Sequence, residues 1–277
     1  MKRNLVNILL SLAFLIGIGL LLYPSVSNYI NEKNQTRLID SYNQIIDTMS
    51  EEEHKAIIAK ANEYNQELAT NPDAFYLPDL VNGYEDTLDT TGTGIMGYIS
   101  IDKIKVELPI YHTVDDDILQ IGVGHLEGTS LPVGGTGTHA VLSGHRGLPS
   151  SKLFTDLDKL EVGDTFYITI LSNILTYQVD QIRTVYPNDV SDLQIIDGKD
   201  YCTLFTCTPY GINTHRLLIR GKRIKTPEDR VIYVPNEAFS ISRVIVMTVF
   251  AIPMVVILLI YLFVSSRHSK KKPHTKK

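Results

Sequence analysis

The sequence has no tryptophan and only two cysteines, Cys202 and Cys207, among its 277 residues. If both lie on one strand, their spacing puts them roughly 16 Å apart, whereas a disulfide needs Cα atoms within about 7 Å. The odd spacing also directs the two side chains to opposite faces of the strand. We therefore predict no disulfide. Cys207 is expected to be a free thiol and Cys202 a small buried hydrophobe.

Metal-binding motifs are also missing. The chain contains neither Cys-x-x-Cys nor His-Glu-x-x-His, the spacings that bring zinc ligands together. His139, His145, Cys207 and His215 have suitable side chains for zinc, but their spacing does not predict a shared metal ion. We therefore expect no metal site.

Charged residues are absent from two long apolar runs, residues 5–23 and 244–264. Each is close to the ~20 residues that a helix needs to cross a bilayer. Basic residues flank these runs at 2–3 and 267–277, so we expect a multi-pass protein of the cell membrane with both termini in the cytoplasm and the middle outside. The first run also fits a cleavable signal peptide, because small residues around Ser25 offer a cleavage site.

The charge is distributed unevenly along the chain. The net charge is −5, while the two basic flanks hold eight basic and no acidic residues, which leaves −13 for the remainder. An acidic domain repels the phosphate backbone, so nucleic acid is excluded as a partner.

The sequence between the two apolar runs contains a helical region followed by a region of strands. Apolar residues recur at intervals of three and four between residues 28 and 70, which predicts two helices, with Ser50 and Glu53 forming a capping box at the start of the second. From 97 to 224, short runs of β-branched and aromatic residues predict about eight strands with only short helices. The fold class is therefore mainly β, a closed eight-stranded barrel preceded by helices.

Three chemically capable side chains stand at the ends of predicted strands. Cys207 ends a strand that Pro209 and Gly211 terminate, and Arg216 begins the next strand. His145 follows a short apolar strand upstream. Because a thiol with a pKa near 8.5 is mostly protonated at pH 7, a nucleophilic cysteine needs an imidazolium or another positive group beside it.

The arrangement of these three residues resembles that of the sortase family. Longer matching runs indicate its class C, pilin-polymerising branch. The resemblance covers roughly residues 97–224 and includes the strand Thr203-Leu204-Phe205-Thr206-Cys207. The longer matching runs are Leu131-Pro132-Val133-Gly134-Gly135, Gly144-His145-Arg146-Gly147-Leu148-Pro149, Thr206-Cys207-Thr208-Pro209-Tyr210-Gly211 and Asn213-Thr214-His215-Arg216.

The resemblance implies a sortase-type barrel and a cysteine transpeptidase that needs no cofactor. Cys207 would attack the Thr carbonyl of a Leu-Pro-x-Thr-Gly sorting signal, His145 would be the general acid and base, and Arg216 would stabilise the oxyanion or the substrate. The partners would be pilin subunits that carry such signals, and the acceptor would be a Lys amine of another subunit. A sortase that anchors single proteins to the cell-wall precursor remains the alternative within the enzyme class.

A lid over the active site is a further expectation from the resemblance. Class C sortases carry an Asp-Pro-aromatic motif there, and this chain has Asp73-Ala74-Phe75 at the corresponding place. Asp73 and Phe75 are the lid candidates, although the rigid proline is missing. A plain linker between the helices and the barrel is the other interpretation.

Other residues are alternatives to His145 and Arg216 in these roles. His139 competes with His145 as the base, while Arg146 and Arg220 compete with Arg216, and Arg220 shares its face of the strand. His125 and His215 are expected to be structural.

A non-enzymatic membrane-anchored surface protein is the alternative from another class, because an apolar run followed by basic residues also ends a sorting signal. The segment 234–238, which precedes the second apolar run, lacks the Thr-Gly pair that such a signal needs.

The sequence thus predicts seven segments along the chain. They are 1–27, a transmembrane anchor or signal segment; 28–70, an extracellular helical region; 71–96, a lid or linker; 97–224, the catalytic barrel; 225–240, a linker; 241–266, a C-terminal transmembrane helix; and 267–277, a basic cytoplasmic tail.

Overall fold

The structure, a computed structural model, describes residues 2–227 and the single residue Val255. The chain forms two compact units. One comprises Met1–Ser27 and Val231–Lys277, and the other comprises Asn28–Arg230. Apart from Val255, the predicted second membrane span lies outside the described residues, as does the basic tail.

Two helices precede the barrel. Helix α1 spans Lys2–Ile46, and its part Leu9–Ile46 is long and apolar enough to cross a membrane, a test that a signal sequence would also pass. Helix α2 spans Glu51–Thr70 and begins with the predicted capping box, in which the Ser50 side chain accepts from the Glu53 N–H and the Glu53 carboxylate accepts from the Ser50 N–H. This cap separates the two helices.

The barrel consists of eight strands. The strands are β1 (Ile95–Ile101), β2 (Val106–Tyr111), β3 (Val123–His125), β4 (Thr138–Ser143), β5 (Thr165–Ile170), β6 (Asn173–Val185), β7 (Asp200–Thr208) and β8 (His215–Ile224). A short helix α3, Asp116–Ile121, precedes β3. The strand order is β1-β2-β3-β4-β7-β8-β6-β5, closed between β5 and β1. The predicted mainly-β closed barrel is confirmed.

Alternation along the central strands separates the core from an outer face. In β7, Cys202 and Leu204 are fully buried in the barrel core, whereas Phe205 packs with a second apolar cluster on the other side of the sheet. Since side chains alternate along a strand, Cys207 belongs to the same outer face as Phe205. The core thus holds β7 in place while its end presents a thiol outward.

Hydrogen bonds from buried polar side chains attach both helices to the barrel. The Tyr42 hydroxyl accepts from the Leu171 N–H at 2.8 Å and donates to the Met96 carbonyl at 3.1 Å. On α2, the Asn65 amide bonds both the N–H and the carbonyl of Leu131, at 2.7 and 3.1 Å. Each contact satisfies backbone groups that no strand reaches. Helix α2 and the part of α1 that begins at Asn28 therefore belong to the same folded unit as the barrel.

Three short elements complete this unit. Strand β3 has only three residues, too few to show alternation in the sequence. A 3₁₀ turn, Leu157–Lys159, lies between β4 and β5. The lid candidate contains a 3₁₀ helix, Pro72–Phe75.

Candidate active site

Strand β7 lies between β4 and β8, so the three sequence-predicted residues meet at one end of three adjacent strands. Cys207 is the register partner of Arg216 in the antiparallel pair of β7 and β8. Directly opposed side chains on antiparallel strands have Cβ atoms about 5 Å apart. The thiol and the guanidinium therefore share one face and one row.

His145 reaches the same row through the parallel pair of β4 and β7. The last register partners are Ser143 and Phe205. The contact continues beyond the strand, because the Gly144 N–H donates to the Phe205 carbonyl at 3.1 Å and the Thr206 hydroxyl donates to the Gly144 carbonyl at 2.7 Å. Continuing this register by two residues beyond Ser143 and Phe205 places His145 beside Cys207. All three side chains are half-buried.

The Arg216 guanidinium is held by backbone alone among the described residues. It donates to the carbonyls of Asn213 and His215, each at 3.1 Å, and lies 6.0 Å from the ring centre of Phe205. No described carboxylate pairs with it, so its positive charge is not neutralised locally. An unpaired guanidinium beside a thiol can stabilise a developing oxyanion.

An apolar cluster on the outer face continues from this row along the sheet. Its fully buried members are Val141, Val185, Leu193 and Leu218, and Phe75, Leu126, Val190 and Phe205 pack against it. Phe205 is thus the link between the cluster and the Cys207 row. The sequence analysis did not identify Phe205 as a site residue, although its alternation with Cys207 indicates the shared face.

The lid candidate contributes to this cluster through one side chain only. Phe75 packs on the outer cluster, and Gly128 fits closely beneath the lid: a Cβ at Gly128 would lie 2.7 Å from the Ala74 carbonyl oxygen. Asp73 is exposed, and within residues 2–227 its carboxylate has no hydrogen-bond or ion-pair partner. The segment therefore contacts the outer face through Phe75, and the expected docking through Asp73 is not observed.

The second cysteine behaves as predicted. Cys202 is fully buried in the barrel core, and neither cysteine forms a disulfide. Burial raises the pKa of the Cys202 thiol well above its usual range. Cys207 is therefore the thiol that reagents and substrates can reach.

The alternatives His139 and Arg220 lie farther along the outer face, and each bonds residues outside the Cys207 row. The His139 ring bonds the Gln194 carbonyl at 2.9 Å and the Thr203 hydroxyl at 2.7 Å. Arg220 forms a two-point ion pair with Asp180, at 2.9 and 3.0 Å. Neither His139 nor Arg220 is in the Cys207 row. His139 is a structural histidine, as is His125, whose ring bonds the Tyr84 hydroxyl and the Ser130 carbonyl.

Acid is expected to destabilise the protein through these two buried histidines. Burial lowers the pKa of His125 and of His139 to about 4. The unfolded chain therefore binds more protons below pH ~6.5, and the free energy of unfolding falls as the pH drops from there to about 4, by about 3 kcal/mol for each histidine. Urea unfolding at a series of pH values would measure this. In H139Q the pH dependence should be roughly halved, and an unchanged dependence would contradict the assignment.

Arg146, the remaining rival, is committed to a contact next to the site. Its guanidinium donates to the Thr208 hydroxyl at 3.2 Å and pairs with Asp158 at 2.5 Å. The Arg146 side chain is only 8% exposed. It is therefore not free to act as Arg216 is, although it touches the residue that follows Cys207.

A cleft of about 300 Å³ lies at the opposite end of the outer face. Leu68, Pro72, Phe75, Leu193 and Ile195 are among its lining residues, as is Gly137, which directly precedes β4. The six residues of β4 separate this end from His145, a distance of roughly 20 Å. The cleft is therefore remote from Cys207.

Comparisons with known proteins agree on one family. A model of the sortase domain matches residues 99–224. The chain is 28% identical over 225 residues to sortase A of Bacillus anthracis, across 81% of this chain and 97% of that protein. Among solved structures, sortase C1 from Streptococcus agalactiae is 52% identical, with a TM-score of 0.64 over 69% of this chain and 100% of the other.

A second structural neighbour was solved with a peptide motif. Sortase C from Clostridium perfringens, determined with the C-terminal cell wall sorting motif, is 48% identical, with a TM-score of 0.61 over 69% of this chain and 100% of the other. Sortase C of Streptococcus pneumoniae is 44% identical, with a TM-score of 0.63 over 69% of this chain and 97% of the other. The chain therefore belongs to the sortase family of cysteine transpeptidases, and its structural neighbours are class C sortases.

Proposed function

We propose that this sortase cleaves a Leu-Pro-x-Thr-Gly signal between Thr and Gly and transfers the Thr carbonyl to a Lys amine of another pilin subunit. The observation that carries the proposal is the single row formed by Cys207, its register partner Arg216 and the adjoining His145. A nucleophile, a proton carrier and a fixed positive charge at one place are what acyl transfer to a thiol requires.

In the first half of the reaction the Cys207 thiolate adds to the Thr carbonyl. The carbonyl oxygen takes the negative charge, which the Arg216 guanidinium stabilises. When the carbonyl re-forms, the bond between Thr and Gly breaks, and His145 gives its proton to the departing amine. The products are a thioester on Cys207 and a free Gly amine.

The second half reverses these roles. An incoming Lys amine attacks the thioester carbonyl and loses a proton to His145, and the Cys207 thiolate leaves. An amide bond between two subunits results, and repetition builds a covalent fibre. Two neighbouring structures support this choice of substrates: sortase C of Streptococcus pneumoniae was solved with insight into pilin substrate specificity, and sortase C of Clostridium perfringens was solved with a C-terminal cell wall sorting motif.

The experiment that tests the function combines the full-length protein, in detergent, with a pilin that carries a sorting signal. Intact mass after brief exposure to a signal peptide should show an acyl adduct on Cys207. A ladder of SDS-resistant pilin multimers supports polymerisation. Transfer only to a peptidoglycan-like amine would instead assign the chain to the anchoring of single proteins, and the absence of any adduct would reject both.

We propose further that the segment 72–75 is a lid that lies over the groove in the resting enzyme. Phe75 covers the apolar cluster that Phe205 connects to Cys207. A substrate whose Leu-Pro portion is apolar needs the same surface, so the lid must move before the signal binds. The observed rates then depend on the fraction of molecules with the lid open.

Loosening the lid is expected to raise the reactivity of Cys207 several-fold. F75A removes the ring from the cluster, and G128A places a methyl group 2.7 Å from the Ala74 carbonyl oxygen. Alkylation of Cys207 by iodoacetamide would be measured in both variants.

G163A is the matched control for G128A. Gly163 also has a positive φ, +101° against +81° at Gly128, but no heavy atom lies within 4 Å of its Cβ position. It carries the same kind of backbone strain without touching the lid. Equal alkylation rates in wild type, F75A and G128A would contradict the lid.

We also propose that the barrel lies outside the cell and that both termini lie in the cytoplasm. The apolar part of α1 and the basic flanks support this topology. Protease treatment of intact cells should digest the barrel, and a tag at either terminus should remain protected.

A further inference from the structure

The loop that carries His145 is fixed at its backbone, while the His145 ring itself is not. On one side, Gly144 is bonded to β7 through Phe205 and Thr206. The His145 carbonyl accepts from the Phe154 N–H at 3.1 Å. Across residues 2–227 no side chain or backbone group bonds the His145 ring. The direction of the imidazole is therefore set by the backbone on either side of it.

Arg146 supplies the attachment on the other side through three contacts. Two of these contacts lie on one continuous stretch: Thr208 ends β7, and the ring centre of Tyr210, two residues later, lies 6.0 Å from the guanidinium carbon. The third is Asp158, in the separate 3₁₀ turn. The adjacent Gly147 N–H donates to the Thr155 hydroxyl at 3.1 Å. One side chain thus connects the histidine loop to the cysteine strand.

The segment that holds Asp158 is a firm support. Phe154 and Leu157 are both fully buried in the barrel core. A Cβ at Gly144 would lie 2.6 Å from the Phe154 ring, so the histidine loop rests directly on that ring. Asp158 therefore holds the guanidinium from a position that the core restrains.

We propose that Arg146, held by Asp158, is a positioning residue that keeps the His145 loop against the end of β7, beside Cys207. This inference rests on the proposed roles of Cys207 and His145. Arg146 directly follows His145 in the sequence and bonds Thr208, the neighbour of Cys207. Loss of this side chain would therefore let His145 move relative to Cys207. A displacement of about 1 Å between reacting groups can reduce a rate about 10²-fold.

The guanidinium suits this task better than an amine. It donates to Thr208 and Asp158 from two different nitrogens in one rigid plane and lies near the Tyr210 ring. A Lys at this position keeps the charge but provides a single nitrogen on a flexible stem. R146K should therefore restore part of what R146Q loses, and D158N should weaken the attachment without removing the Thr208 contact.

The test uses the full-length protein and two measurements. The first is the rate of Cys207 alkylation by iodoacetamide as a function of pH, which needs no substrate, with H145A as the reference for a thiol without its imidazole. The second is the rate of acyl-enzyme formation with a signal peptide. In R146Q we expect the alkylation profile to move to that of H145A, and kcat to fall about 10- to 100-fold with little change in KM.

K103Q is the matched control. Lys103 also forms an ion pair, with Glu161 and Asp164, but on a part of the barrel that contributes nothing to the Cys207 row. It should lose that ion pair while keeping the wild-type profile and kcat. Circular dichroism would verify that each variant is folded.

Each outcome decides the inference. If folded R146Q behaves like the wild-type protein in both measurements, the inference is overturned. It is also overturned if the wild-type protein and H145A have identical alkylation profiles, because no contact between Cys207 and His145 would then exist for Arg146 to position. If wild type differs from H145A but forms no acyl adduct, the proposed function fails, and the effect of R146Q on the alkylation profile still decides the positioning role.

Discussion

The variant C207A is expected to form no acyl-enzyme at all, because no other accessible side chain in the row can act as the nucleophile. His145 and Arg216, the other members of the row, carry no thiol, and Cys202 is fully buried on the far side of the sheet. The substitution removes one sulfur atom from a half-buried position at a strand end, so the fold should be preserved. Intact mass after exposure to a signal peptide measures the loss.

C202A provides a control on the same strand. Cys202 belongs to the core, so its replacement leaves a small cavity and should lower the free energy of unfolding by about 1 kcal/mol. Acylation should remain at the wild-type level. The nucleophile assignment would be refuted by a folded C207A protein that still cleaves the signal, or by a C202A protein that binds the peptide but cannot be acylated.

The second large effect is expected at Arg216. R216Q should lower kcat about 10²- to 10³-fold, the cost of removing one charged or hydrogen-bonding group from an oxyanion site. The reason is that Arg216 lies opposite Cys207, and no described carboxylate neutralises it. Because the charge on the oxygen exists only in the transition state and the intermediate, KM should change much less. Steady-state kinetics with a signal peptide would separate the two constants.

R220Q is the corresponding control, since it alters an arginine on the same strand and face. Arg220 is paired with Asp180 and lies over the Tyr201 ring, 4.2 Å from its centre. Its removal leaves the Asp180 carboxylate without its partner, so we expect reduced stability and an unchanged kcat per folded molecule. Equal losses of kcat in R216Q and R220Q would indicate a general electrostatic effect and would contradict a specific role for Arg216.

The prediction from sequence succeeded where short-range patterns determine the structure. Turn residues after Cys207 and after Ser143 marked the strand ends, and alternation assigned Cys202 to the core and Cys207 to the outer face. The capping box at Ser50 marked the start of α2. Each of these depends on residues within a few positions of one another, so composition and spacing were sufficient.

The contacts of the segment 72–75 could not be predicted in the same way. The resemblance named Phe75 as a lid candidate, and its ring packs on the outer cluster, but the expected contact through Asp73 is absent from the described part of the chain. Gly128, which fits closely against the backbone of residues 74–75, showed no signal in the sequence. Contacts between distant segments depend on shape, which a local pattern does not encode.

By itself, the sequence predicted which side chains would carry the chemistry, that each stands at the end of a strand, and that Cys202 and Cys207 take opposite faces. Only the tertiary structure decided that β7 runs between β4 and β8. Its register puts Cys207 opposite Arg216 on β8 and next to the chain that continues from β4 to His145. The physical reason is that alternation is a property of neighbouring residues. The choice of strand partners and register, in contrast, depends on how the whole barrel closes around its core.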